Sequence, residues 1–356
     1  MKKIAIISAY AYVEHHVNYG SLLQYYALQT YFELNGFQPY WIRYILPEEH
    51  CFKYKVLDLI KTIVSSYDRK RKKVLKKQFV FINENINLSE KEYCGFIDIK
   101  NDPPKADLYI TGSDQVWGGC IEANYLCFAN DSAPKMAYAA SFGRSKLSDE
   151  QRKLIPEWIK KIDYVSLREA EGVKICNDLK IPSIMVVDPT LLLNKCDYPV
   201  LVPKVKPEFF CYFLNEFILD KEVEDKIKQS NSVFCSGVNK NARRFSKFER
   251  ELSPAEWIGM IKSAECILTN SFHGMIFSII FEKPFVVFLQ KGTTEVQNSR
   301  IYSFLSYVGL EDRIFISADQ FSNILNKQID WLLVSEKINS LRNTSIQFIH
   351  DALEKL

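Results

Sequence analysis

An α/β protein made of two Rossmann-like halves is what the sequence predicts, and three observations predict it. The chain has 356 residues, which at roughly 150 residues per domain gives two domains. Short apolar runs alternate with stretches of helical length and pattern along most of the chain, as in a parallel sheet covered on both faces. Four prolines, Pro189, Pro199, Pro203 and Pro207, crowd into 19 residues near the middle, and such punctuation marks a boundary beyond which the alternation restarts.

Taken in order, the first unit is a buried strand over residues 4–9, a helix over 21–34 and a strand over 40–44. Asn35-Gly36 supplies the left-handed cap that stops the helix. Residues 107–111 and 136–141 read as further strands, and Ser148-Asp149-Glu150-Gln151 is a capping box opening the next helix. Strands over 163–167 and 184–187 then flank a short helix beginning near Glu169. This places an N-terminal domain over residues 1–193 and a linker over 194–207. Beyond it, residues 209–214, 233–235, 266–269 and 285–288 read as strands of a second domain over 208–330. Ser253-Pro254-Ala255-Glu256 combines an N-cap, a first-position proline and an acidic third position at a helix start. A final helix is expected over 331–356, with Leu325, Ile329, Leu332 and Leu333 on one face of this last helical stretch.

Composition narrows the function classes. With 47% hydrophobic, 13% aromatic and 25% charged residues, the chain can bury two cores, which excludes a disordered or fibrous protein. A net charge of +3 is too small to make nucleic acid the default partner. Ten basic against two acidic residues fall between Lys53 and Lys77, so one surface is strongly basic. That stretch, with Arg69-Lys70-Arg71-Lys72-Lys73 and Lys76-Lys77 at its heart, reads either as a solvated helix face or as a contact with an anionic membrane surface. Nine cysteines without a CxxC pair fit neither a zinc module nor a full disulfide framework and read as reduced thiols. The apolar run after Met1 is too short for a signal peptide, and no window reaches the 18 or so apolar residues of a membrane span. A cytoplasmic protein is the expectation.

In open α/β sheets ligands collect at the carboxyl ends of strands, so polar loops there are the candidate site. Four stand out. Asn18-Tyr19-Gly20-Ser21 leads into the first helix, whose N-terminus suits an anion or sugar hydroxyls, although Asn18 or Ser21 also reads as a plain N-cap. Ser113-Asp114-Gln115-Val116-Trp117 puts a carboxylate and an indole together at a strand end, as a sugar site or as a structural turn. Arg168 closes a strand beside Glu169, where a guanidinium forks onto a carboxylate or phosphate, or pairs with its neighbour. Thr269-Asn270-Ser271-Phe272-His273-Gly274 carries one of only five histidines in the chain, able to give and take a proton near neutrality.

Together and in this order, these loops resemble the polysaccharide pyruvyl transferase family. The resemblance is carried by Asn18-Tyr19-Gly20-Ser21-Leu22-Leu23-Gln24 with Ala27-Leu28-Gln29, then Gly112-Ser113-Asp114-Gln115-Val116-Trp117 and Ser141-Phe142-Gly143. It continues through Ser166-Leu167-Arg168-Glu169, Val187-Asp188-Pro189-Thr190-Leu191-Leu192, and Asn270-Ser271-Phe272-His273-Gly274 with Lys283-Pro284-Phe285. It implies a GT-B-like pair of domains facing across a cleft, with C-terminal helices packing back across them. It also implies phosphoenolpyruvate as donor, a sugar of a cell-surface glycan, free or lipid-linked, as acceptor, and a pyruvate ketal as product. No cofactor or metal is called for.

On that resemblance His273 is the expected proton donor, and Arg168, Arg300, Ser271 and Gly274 the expected donor-binding residues. Asn18, Tyr19, Gly20, Ser113, Asp114, Gln115 and Trp117 are the expected acceptor-binding residues. Two alternatives stay open: a nucleotide-sugar glycosyltransferase of the same architecture, and a catalytically silent glycan-binding relative.

Overall fold

The computed structural model describes residues 1–8, 17–47, 65–214, 217–235, 238, 245, 249–292, 295 and 298–355. Its first half alternates β1 (Lys3–Ile7), α1 (Tyr19–Leu34), β2 (Gln38–Ile45), α2 (Ser66–Asn85), β3 (Leu88–Cys94), α3 (Phe96–Asn101), β4 (Leu108–Thr111) and β5 (Lys135–Ala140). It is completed by α4 (Asp149–Ile159), β6 (Tyr164–Leu167), α5 (Ala170–Asp178) and β7 (Ile184–Met185). These strands form one parallel sheet in the order β3-β2-β1-β4-β5-β6-β7. The second half runs β8 (Phe209–Tyr212), α6 (Lys221–Gln229), β9 (Ser232–Cys235), β10 (Glu249–Arg250), α7 (Pro254–Ser263), β11 (Cys266–Thr269), α8 (Phe272–Ile280) and β12 (Phe285–Val287). Its parallel sheet has the order β10-β9-β8-β11-β12. Three helices follow, α9 (Asn298–Val308), α10 (Ala318–Asn326) and α11 (Trp331–Leu353).

The central strands carry the burial their sequences demand: β4, β5, β8, β9 and β11 are buried at every position, as expected of strands covered on both faces. The edge strand β3 escapes the sequence reading because Glu90, Lys91 and Glu92 interrupt its apolar residues, and charge is what a sheet edge tolerates. The capping box at Ser148 with Gln151 forms, and the N-cap Ser253 with Glu256 makes a second one. The expected common face of Leu325, Ile329, Leu332 and Leu333 is split: Leu325 on α10 and Ile329 just before α11 pack against the core, but Leu332 and Leu333 do not. Those residues are 81% and 47% exposed, while α11 buries Val334, Ile338, Phe348 and Ile349.

The two halves make direct contact. Tyr19 at the start of α1 stacks on Trp257 of α7 at 5.4 Å and donates its hydroxyl to Leu252 O at 2.8 Å. On α2, Lys77 Nζ donates to Glu251 O at 2.7 Å and to Glu256 at 2.8 Å, Lys73 stands 3.6 Å from Glu251, and Lys70 pairs with Glu249. Three cations of the basic stretch are therefore engaged with the acidic rim of the other half. Residues 48–64, where that stretch begins, lie outside the described residues. Helix α11 returns across the boundary: Val187 N donates to Ser345 Oγ at 2.9 Å and Arg342 Nε to Leu191 O at 2.5 Å. This is the arrangement expected of the fold class, two Rossmann-like halves facing each other with a C-terminal helix packed back over both. No helix among the described residues is long and apolar enough to cross a membrane.

Candidate active site

The carboxyl ends of β4 and β6, the turn after β7 and the N-termini of α8 and α9 meet at the junction of the halves. Each contributes one charged side chain, except the end of β6, which contributes Arg168 and Glu169. Asp114 follows β4 with φ 75°, a left-handed backbone that Asp tolerates better than most residues, and it bridges to Ala140. Arg168 follows β6. Asp188 caps the turn Pro189–Leu191 by accepting from Thr190 N at 3.0 Å and from Thr190 Oγ1 at 2.7 Å. His273 stands in the first turn of α8, and Arg300 in the first turn of α9.

All of these side chains are buried, and a buried charge persists only when paired. Arg168 Nη1 donates to Asp188 Oδ2 at 3.0 Å and to Ser113 Oγ at 3.5 Å. Its other nitrogens stand off from their carboxylates, Nη2 at 3.7 Å from Asp114 and Nε at 3.8 Å from Glu169, and neither has a hydrogen-bond partner. His273 Nε2 lies 3.3 Å from Asp188 Oδ2, also without an aligned hydrogen bond. Arg300 Nη1 is 4.0 Å from Asp114 Oδ1. With the Gln115 amide oriented to satisfy both groups, Arg300 donates twice to its oxygen, at 3.1 and 3.2 Å. Both guanidiniums lie over the ring of Phe272, at 4.9 and 5.6 Å from its centroid, in cation–π contact.

Electrostatics follow from this crowding. Burial works against the charge on Asp188, but His273, Arg168 and Thr190 outweigh it and hold the carboxyl far below the usual range. Asp114 is likewise lowered, with burial opposed by Arg168, His273 and Arg300. Glu169 goes the other way: burial raises its carboxyl despite Arg168 and a 2.7 Å hydrogen bond from Ser141 Oγ. Arg300 falls to about 10 through burial and then repulsion from Arg168, and still carries its charge at neutrality.

The depressed carboxyls make stability depend on pH. Asp188 and Asp114 are lower in the folded chain than when unfolded. Their contribution is therefore complete above the ordinary carboxyl range and lost as pH falls from about 5 downward, while Glu169, raised, offsets part of the loss. The melting temperature is expected to drop between about pH 5 and pH 3, and less steeply in Asp188→Asn. An equally steep drop in that variant would remove Asp188 from the account.

Of the residues singled out from sequence, the structure gathers Ser113, Asp114, Gln115, Arg168, His273 and Arg300 into one cluster. Others are placed differently. Trp117 is fully buried between Tyr125 and Phe142 with its indole N–H on Asn124 O, so it is a core residue and offers no face to a sugar. Tyr19 is also fully buried, filling the junction of the halves. Gly20 lies against His273, where a Cβ would come within 2.2 Å of Nδ1. Asn18 accepts from Ser21 N at 3.1 Å and Ser271 from Gly274 N at 3.3 Å, both as helix N-caps. Gly274 lets α8 approach Thr269, whose Oγ1 a Cβ would meet at 2.4 Å. Sequence reasoning passed over Asp188, Glu169 and Phe272 as site residues. The signal for Asp188 was there, since an Asp before Pro with Thr two residues on is a side-chain cap at a strand end.

A family model described as polysaccharide pyruvyl transferase matches residues 18–291 of the chain. No curated protein matches it. Among solved structures, it is similar to the UDP-N-acetylglucosamine 2-epimerase of Rickettsia bellii at 11% identity and a TM-score of 0.49, covering 100% of this chain and 98% of that one. The UDP-GlcNAc 2-epimerase of Neisseria meningitidis bound to UDP-GlcNAc is similar at 9% identity and a TM-score of 0.48, with both chains fully covered. The glycosyltransferase SnogD of Streptomyces nogalater is similar at 11% identity and a TM-score of 0.47, covering 99% of each chain.

Proposed function

The chain belongs to the polysaccharide pyruvyl transferase family of transferases, and from that premise we propose that it moves the pyruvyl group of phosphoenolpyruvate onto two hydroxyls of a glycan sugar. The observation that carries the reading is the buried edge of Arg168, whose Nε and Nη2 lack hydrogen-bond partners. A guanidinium edge with two unfilled parallel donors fits a carboxylate or a phosphate. Arg300 adds a second cation over the ring of Phe272, as a donor with two acidic groups requires.

In this reading His273, as imidazolium, gives a proton to C3 of the enol, and C2 becomes an oxocarbenium-like electrophile. One sugar hydroxyl attacks C2; the second displaces phosphate from the same carbon. Two hydroxyl protons are released, one returning to the imidazole and one leaving with phosphate. The carboxylates of Asp114 and Glu169 face the two arginines, so the donor must take over Arg168 and Arg300 from them. The same carboxylates are then free to accept from the acceptor hydroxyls, which is the role proposed for Asp114, with Ser113 and Gln115 beside it. Ser271 acts through the N-terminus of α8, which suits the phosphate.

Phosphoenolpyruvate is expected to raise the melting temperature in a concentration-dependent way, and a UDP-sugar is not. Arg168→Lys should weaken that stabilisation, because an ammonium cannot reproduce the fork. Acceptor-dependent release of phosphate from phosphoenolpyruvate is the direct assay. Stabilisation by UDP-sugars, with none by phosphoenolpyruvate, would replace this reading with nucleotide-sugar transfer.

A further inference from the structure

We propose that Asp188 is the positioning residue that joins the acid of one half of the site to the anion-binding arginine of the other. Its Oδ2 is shared between Arg168 Nη1 at 3.0 Å and His273 Nε2 at 3.3 Å. This rests on the reading of His273 as the proton donor.

The carboxylate is fixed by its surroundings. Oδ1 is taken by the amide and hydroxyl of Thr190. The segment before it is pinned on both sides: Tyr138 Oη donates to Val187 O at 3.1 Å, and Ser345 Oγ of α11 accepts from Val187 N at 2.9 Å. The remaining oxygen, Oδ2, accepts from Ser113 Oγ at 3.4 Å and faces the two cations. Its distances to them therefore set how far the imidazole stands from the guanidinium, and so how far a proton must travel to a donor held by Arg168.

The contact also orients the imidazole, with Nε2 toward the carboxylate. A neutral ring facing a carboxylate through Nε2 carries its proton on Nε2. The other charged groups of the cluster are Asp114 from the end of β4, Glu169 and Arg168 from the end of β6, and Arg300 from α9. From α1 the ring meets uncharged Gly20. Arg168 and Arg300 oppose the charge that Asp114, Glu169 and Asp188 favour, and Asp188 is the carboxylate at ion-pair distance from Nε2.

Asp188→Asn keeps the shape and removes the charge. It is expected to lower kcat at neutral pH by about 10-fold or more and to move the high-pH fall of kcat down by about one pH unit or more. Asp188→Glu keeps the charge at an altered reach, and should return that fall toward its wild-type pH. The titration of the His273 ring, followed by NMR of histidine-labelled protein and assigned with His273→Gln, should move in the same direction in free enzyme. That readout needs no donor, so it separates this proposal from the proposed reaction: a shifted titration without pyruvyl transfer would overturn the reaction alone. Should Asp188→Asn not fold, Thr190→Val, which loosens Oδ1, is expected to give a smaller downward shift. An unchanged His273 titration in every folded member of this series would overturn the proposal.

Discussion

His273→Gln is expected to lower kcat by about 10²- to 10⁴-fold, the usual contribution of a positioned acid, while donor affinity falls only a few-fold. Glutamine keeps a polar group at the start of α8 and fills much of the space of the ring, so binding and packing are largely retained. What it cannot do is deliver a proton near neutrality. The imidazole is 5% exposed, and its Nε2 stands 3.3 Å from Asp188 Oδ2 at the junction of the halves. Wild-type kcat should fall as pH rises, because the acid must be protonated. A ligand-only role predicts the reverse split, weaker donor binding with turnover at saturation little changed. Steady-state kinetics with donor and acceptor varied separately decide between the two, and near-wild-type kcat in His273→Gln would move the search to another acid.

The fold was legible in the sequence because its central strands are short unbroken apolar runs and its helices carry strong caps. The missed elements lack such signals: β3 is an edge strand of mixed charge, and β10 has two residues. For the site, the loops at strand ends were legible as places, since topology alone puts polar residues there. Roles within a loop were not. Ser113-Asp114-Gln115-Val116-Trp117 looks uniform as a string, yet Asp114 turns into the cluster while Trp117 turns into the core, a division made by the left-handed backbone at Asp114. Asp188 sits within a motif of the sequence without a mark of its own as a site residue, because its partners Arg168 and His273 are 20 and 85 residues away. A carboxylate shared across two halves leaves no local pattern. Tyr19 and Gly20 were read as facing a sugar for a related reason: a helix N-terminus announces unpaired amides, but not that another helix is pressed against them.

That close approach makes Gly20→Ala the second large expected effect. A Cβ at this position would lie 2.2 Å from His273 Nδ1, 2.4 Å from Cγ and 2.6 Å from Cβ, so one partner has to move. Neither has slack. Helix α1 is held through Tyr19 to Leu252 and Trp257, and α8 is seated on Thr269 through Gly274. Overpacking of this kind costs about 1–3 kcal/mol, which should appear as a melting temperature lowered by several degrees. If the imidazole yields instead of the helices, it leaves Asp188, and a misplacement near 1 Å at a reacting group costs about 10²-fold in rate. Thermal denaturation and kcat together apportion the two responses. In a His273→Ala background the ring atoms are gone and the contact to Cβ alone remains, so the stability cost of Gly20→Ala should shrink, a non-additivity that marks direct contact. Wild-type stability and turnover in Gly20→Ala would mean that the halves separate freely at this point, and that the seating of His273 against α1 plays no part in placing the acid.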